Sequence, residues 1–260
     1  MLLAIFAISL AIIAYFSLRN KRGIGDQFSE EGVDKSYHAL LLTHVEYYRN
    51  LNDADKEKFE RLVYAFLQDT IIEGVKTEIT DDDRVMIASS AVIPIMGFPD
   101  WRYKNLTSVI LYPDVFNHEF QFEGENRNIM GMVGSGFMNG QMLLSRVSLV
   151  KGFSNFSGKE NAAIHEFVHL LDKSDGEIDG IPEILVAPEF AVPWLKMMHQ
   201  EMRRVETENS DINPYALTNE AEFMAVAAEY FFTKPEKLRS KHPDIYQQLT
   251  YIFGQKPADL

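Results

Sequence analysis

The sequence predicts an α+β fold, with a small β-sheet beside a metal-binding helix, preceded by one N-terminal transmembrane helix. Three observations carry this expectation. The first 18 residues, MLLAIFAISLAIIAYFSL, contain no charge; the hydrophobic period switches from helical to β-like and back between residues 52 and 172; and the run Asn161–Asp172 holds the pattern His165-Glu166-x-x-His169.

Composition narrows the class. The chain has 260 residues, 46% of them hydrophobic, which is enough for a full core in one large domain. A formal charge of −13, with Lys and Arg scattered, argues against nucleic acid as a partner, because binding a phosphate backbone needs a basic footprint. There is no cysteine, so disulfides and thiolate metal ligands are excluded, leaving His and carboxylates as donors.

Residues Met1–Leu18 would span roughly 27 Å as a helix, enough to cross a bilayer core. Arg19, Lys21 and Arg22 follow at once, no basic segment precedes, and no small-x-small cleavage site follows. A retained single-pass anchor over 1–22 is therefore expected, in contact with lipid, and the positive flank places the following domain in the cytoplasm. Residues 23–35, small and polar, are expected to link the anchor to a domain over 36–260.

Within that domain, Asn52 or Asp53 caps a helix whose stripe is Phe59, Leu62, Val63, Phe66 and Leu67. Asp81-Asp82-Asp83 opens a second helix that stops before Gly97 and Pro99; the acidic run suits a positive helix N-terminus better than a cation site. Short β-rich runs over 107–112, 129–133 and 141–150 are expected to be strands of a small sheet. The edge of such a sheet can bind an extended peptide by strand addition. His118, between strands with no companion at ligand spacing, is expected to be a surface loop residue.

Ser157 and Glu160 have capping-box spacing and are expected to start the metal helix, placing its histidines in the second and third turns. His165 and His169 lie one turn apart on one face, so both imidazoles can reach a single Zn²⁺, while Glu166 is offset and free to take a proton from water. Ala162, Ala163, Ile164, Phe167, Val168, Leu170 and Leu171 make the remainder apolar, as a helix through a core would be. Asp172 is a candidate partner for a ligating His. The loop Asp175–Pro182 is expected chiefly to reverse the chain, Pro193 to open another helix, and His199 to be solvated or structural.

A catalytic zinc needs a third protein ligand. Glu222 and Glu229 lie two turns apart on a strongly apolar helix. Asn219 and Glu222 also have capping-box spacing, but the cost of carboxylates on such a helix is better met by a metal or hydrogen-bonding role. Glu222 is thus the candidate ligand and Glu229 the candidate partner of a ligating His.

The series HEFVHLLD, DGEIDGIP, NPYALTNEAEFMAVAAEYFF and KHPDIYQQL, with WRYKNLTSVILYP upstream, resembles the Mlc titration factor A (MtfA) family of zinc peptidases over about residues 50 to 255. The resemblance implies a zincin-like metallopeptidase domain whose metal site is similar to that of the anthrax lethal factor catalytic domain. It implies His165, His169 and Glu222 as zinc ligands and Glu166 as general base. Tyr215 matches the tyrosine that faces the metal in both groups, where it can hydrogen-bond a developing oxyanion. Peptide or protein substrates follow, with possible aminopeptidase character. The family's namesake suggests an alternative in which the chain sequesters a transcriptional repressor or other protein regulator, with little peptidase activity.

Overall fold

The structure, a computed structural model, describes residues 35–260 except 100, 135, 155–157 and 186. The expected anchor over 1–22 lies outside the described residues, as does the linker save for Lys35, which opens the first helix. Among the described residues no helix is long and apolar enough to cross a membrane.

The chain runs α1 (Lys35–His44), α2 (Glu46–Asn50), α3 (Asp53–Asp69), β1 (Ile71–Gly74), α4 (Asp81–Ile95), β2 (Ser108–Tyr112), β3 (Gly131–Val133) and β4 (Gln141–Ser145). It continues through α5 (Arg146–Gly152), α6 (Ala162–Asp172), α7 (Pro188–Glu206), α8 (Glu220–Thr233), α9 (Pro235–Lys241) and α10 (Pro243–Phe253). The result is a mixed α+β fold with one small sheet among many helices.

Helix starts follow local chemistry. Asn52 accepts from Asp55 N at the start of α3, and Thr80 and Asp83 form a reciprocal capping box on α4. Asp83 also pairs with Arg146, at 2.9 Å to Nε and 2.7 Å to Nη2. The acidic run is therefore a helix cap that also anchors a distant helix.

The four strands lie in the order β1-β2-β4-β3; β1, β2 and β4 are parallel, and β3 is an antiparallel edge. Alternation along β2 and β4 splits two cores. Val109, Leu111, Met142 and Leu144 face the main helical core, whereas Tyr112 and Leu143 pack with Phe116 in a smaller cluster on the other face. Central parallel strands covered on both sides read as continuous apolar runs, which is why they were conspicuous in the sequence.

Several expected boundaries differ. The strand expected over 141–150 ends at Ser145, whose hydroxyl accepts from Ser148 N and starts α5. Strand β1 was not anticipated; only one of its four residues is buried. Pro193 lies inside α7 instead of opening it, and Pro188 is at the start. The missing Pro193 N–H leaves the carbonyl of exposed Glu189 to water, a smaller cost than in a buried helix.

Helix α6 crosses the centre of the molecule. Phe167 packs 5.6 Å from Phe66 and 5.1 Å from Tyr103, and α4, α5, α8 and β3 surround it. This environment accounts for its nearly all-round apolar sequence.

Candidate metal centre

Helix α6 begins later than expected. Its cap is Asn161, whose side chain accepts from Ile164 N at 3.1 Å. Ser157 lies outside the described residues, and Glu160 instead accepts from Asn213 Nδ2 at 3.0 Å. His165 is the fourth helical residue and His169 the eighth, in the second and third turns of the helix as it forms.

Helix α8 crosses α6 and brings Glu222 opposite both histidines. The Asn219 side chain caps α8 by accepting from Glu222 N at 2.9 Å, while the Glu222 carboxylate turns the other way. Only half of a capping box forms, so the Glu222 backbone serves the helix and its side chain serves the site. Glu222 Oε2 lies 2.9 Å from His165 Nε2 and 3.4 Å from His169 Nε2; the two Nε2 atoms are 3.0 Å apart. A tetrahedral ion with bonds of about 2.0–2.1 Å holds its ligand atoms about 3.3–3.4 Å apart. The observed triangle fits such an ion with movements of a few tenths of an ångström. A group of three potential ligands, His165, His169 and Glu222, is thereby assembled.

Glu229 supports this triangle from behind. Its Oε1 is 2.7 Å from His165 Nδ1, and its Oε2 accepts from Asn161 N at 2.6 Å. With Nδ1–H donating to Glu229, His165 Nε2 is directed toward Glu222 and His169, and loss of the Nε2 proton would leave its lone pair for an ion. Asp172 does not play the same part for His169. Its Oδ2 accepts from Gly180 N at 2.9 Å, and His169 Nδ1 has no hydrogen bond to the described residues.

Charge in the site is arranged for a cation. Burial works against protonation of His165, but hydrogen bonds to Glu222 and Glu229 outweigh it and raise its pKa to about 10. Burial also opposes ionisation of Glu222, yet its contacts with His165 and His169 bring it down to about 2. The proton on His165 takes the place that a divalent ion takes on binding. Glu166, 8% exposed, is pushed up by burial against the pull of the two histidines. A carboxylate shifted in that direction is better suited to accept a proton near neutrality.

Tyr215 sits on a 3₁₀ turn, Pro214–Leu217, set by Asn213 Oδ1 accepting from Tyr215 N at 3.0 Å. Its ring centroid is 6.0 Å from that of His165, and it is 53% exposed, facing the cleft. Burial of the phenol and the neighbouring Glu222 raise its pKa, keeping its proton available for donation.

Two cavities, of about 460 and 370 Å³, flank His165 and Glu166, and Tyr215 borders both. Ile178 lines the smaller one, so the loop expected chiefly to reverse the chain also walls the cleft. His199 hydrogen-bonds Glu220 at 2.8 Å on the surface, away from the triangle.

Two residues at the cleft were not singled out as functional. Gly131 on β3 lies against Glu166: a Cβ there would come within 2.6 Å of Glu166 Cγ and 2.8 Å of Oε1. A glycine inside a strand run was the available signal, since it marks close approach. His118, expected to be only a loop residue, lines both cavities. No local spacing carries that information.

Comparison with known proteins gives a consistent result. A family described as glucose-regulated metallo-peptidase M90 matches residues 17–254. An uncharacterized protein of Synechocystis sp. is 26% identical over 242 residues, covering 89% of this chain and 88% of the relative. The Mlc titration factor A of Pectobacterium atrosepticum is 29% identical over 224 residues, and that of Cronobacter sakazakii 26% over 221; each alignment covers 80% of this chain and 82% of the relative.

Proposed function

The chain belongs to the glucose-regulated metallo-peptidase M90 family, to which the Mlc titration factor A proteins are related, and on that premise we propose a membrane-anchored zinc peptidase. In this reading His165, His169 and Glu222 hold Zn²⁺. When bound, zinc supplies Lewis acidity that polarises a carbonyl and lowers the pKa of a coordinated water toward neutrality.

The remaining work falls to the chain itself. Glu166 accepts the proton of the attacking water and later delivers it to the leaving amine. Tyr215 donates its phenol hydrogen to the oxygen on which charge develops. Glu229 keeps His165 in one tautomer and one orientation. The β3 edge aligns an extended peptide over the cleft by strand addition.

The observation that carries this reading is the triangle of 2.9, 3.0 and 3.4 Å between two imidazole nitrogens and one carboxylate oxygen, with Glu166 beside it and unused as a ligand. Glu166→Gln is expected to keep its zinc and lose most peptide hydrolysis. Wild-type-like hydrolysis by that variant would overturn the assignment of Glu166.

Residues 1–22 would tether this domain to the bilayer, with residues 36–260 on the cytoplasmic side. The uncharged run Met1–Leu18 and the basic Arg19, Lys21 and Arg22 support this. The full chain should remain in the membrane fraction after carbonate extraction, and a chain beginning at residue 23 should not. Recovery of the full chain in the soluble fraction would remove the anchor from the proposal.

A second reading has its own support, in the names of the relatives: Mlc titration factor A denotes a protein that titrates another. The chain would then sequester a transcriptional repressor or similar regulator, with hydrolysis incidental. A pull-down with Glu166→Gln separates the two, because sequestration survives this substitution and peptidolysis does not.

A further inference from the structure

The cleft has two lobes and a waist. Among the described residues, His118, Ile129, Gly131, His165, Glu166 and Tyr215 border both the cavity of about 460 Å³ and that of about 370 Å³. Peptide hydrolysis needs room on either side of the scissile bond, and a general base must lie within hydrogen-bond reach of the attacking water. A bond cut beside Glu166 therefore lies at this waist, next to the same residues. Three walls meet there. Helix α6 supplies His165 and Glu166, the 3₁₀ turn supplies Tyr215, and the β3 side supplies Ile129, Gly131 and His118. On the third wall, His118 alone carries a side-chain hydrogen-bonding group.

His118 is exposed, and its imidazole makes no hydrogen bond or ion pair to the described residues. The backbone around it is fixed. Phe116, fully buried, exchanges two backbone hydrogen bonds with Ile129, at 2.9 and 3.1 Å. Asn117 N donates to Gln121 O at 3.1 Å, and the Asn117 side chain accepts from Glu119 N at 3.1 Å and from Gln121 N at 2.9 Å. An unpaired imidazole on a braced turn is ready for a group that arrives with the substrate, because little backbone ordering remains to be done. Neutral or protonated, the ring carries at least one N–H donor.

We propose that His118 is a further catalytic residue: its ring N–H donates to the oxygen of the scissile carbonyl as negative charge develops there. This rests on the peptidase reading above. Tyr215 donates from the 3₁₀ turn and His118 from the β3 wall, and an oxyanion has lone pairs for both. A hydrogen bond to a charged oxygen is stronger than one to a neutral carbonyl, so the donation favours the transition state over the bound peptide.

Kinetics of His118→Ala and His118→Gln in the zinc-loaded protein test this. His118→Ala should lower kcat about tenfold or more with KM nearly unchanged, a smaller loss than for an enclosed oxyanion donor because His118 is exposed. His118→Gln, which restores an N–H donor, should recover part of that loss. Binding gives a readout free of turnover. A phosphinic peptide, which mimics the tetrahedral oxyanion, should bind His118→Ala about tenfold more weakly than the wild type. A cleavable peptide should bind Glu166→Gln equally well with and without His118→Ala. Unchanged kcat, a loss wholly in KM, or a loss of zinc by elemental analysis would overturn the inference while leaving the peptidase reading intact. Absence of hydrolysis by the wild type would instead overturn the peptidase reading.

Discussion

Glu166 occupies the space that a side chain at residue 131 would need. A Cβ on Gly131 would sit 2.6 Å from Glu166 Cγ, well inside contact distance, so the carboxylate would have to move. Displacements of about 1 Å at a reacting group can cost about a hundredfold in rate. Gly131→Ala is accordingly expected to lower kcat/KM by about that factor with zinc content unchanged, measured by peptide kinetics alongside elemental analysis. Glu229 makes a complementary case. It touches His165 Nδ1 and not the metal position, and losing such a partner typically weakens metal binding by about 10–100-fold. Glu229→Gln should show a weakening of that order in a competition titration with a chelator. At this scale His165, Glu166 and His169 were legible because their spacing is local and helical. The cleft positions of Gly131 and His118 were not, since they depend on which strand edge faces α6 and where a loop returns.

Among the elements, α7, α8 and α9 are tied together by His242, which is 4% exposed just before α10. It sits 3.1 Å from Glu201 Oε1 and 2.8 Å from Asp211 Oδ1; Arg204 faces Glu201, and Lys159, Lys237 and Lys241 face Asp211. Burial lowers the pKa of His242, but Glu201 and Asp211 raise it by more, so the folded value lies above 6.5. Protonated His242 therefore adds stability that is fully present below pH 6.5 and is lost as pH rises through the folded pKa. His242→Gln should destabilise by about 1–3 kcal/mol at pH 6 and by less at pH 9, measured by urea unfolding. A cost that grows with pH would contradict this account. Elements were legible where one local rule dominates: the stripe of α3, the capping box of α4 and the apolar run of β2. The strand expected over 141–150 ends at Ser145 because a long-range pair, Asp83 with Arg146, joins the local Ser145 cap in starting α5. Strand β1 is too short and too exposed for its period to register.

For the whole molecule, the triangle joins two helices that are far apart in sequence, with His165 and His169 on α6 and Glu222 on α8. An ion bound there cross-links the centre of the fold, and binding to the native state alone stabilises it by about 4 kcal/mol at a thousandfold excess over Kd. The zinc-loaded protein should therefore melt higher than the chelated one by calorimetry, and Glu222→Gln should lose most of that difference. The mixed α+β class was legible from the change of hydrophobic period, whereas the convergence of α6 and α8 was not, because no local pattern encodes how two helices cross. Zinc X-ray absorption on the loaded protein tests the central claim most directly. Two imidazole nitrogens, one carboxylate and one exchangeable water are expected, with the carboxylate lost in Glu222→Gln. Four protein ligands, or a wild-type spectrum unchanged in Glu222→Gln, would contradict the proposed site.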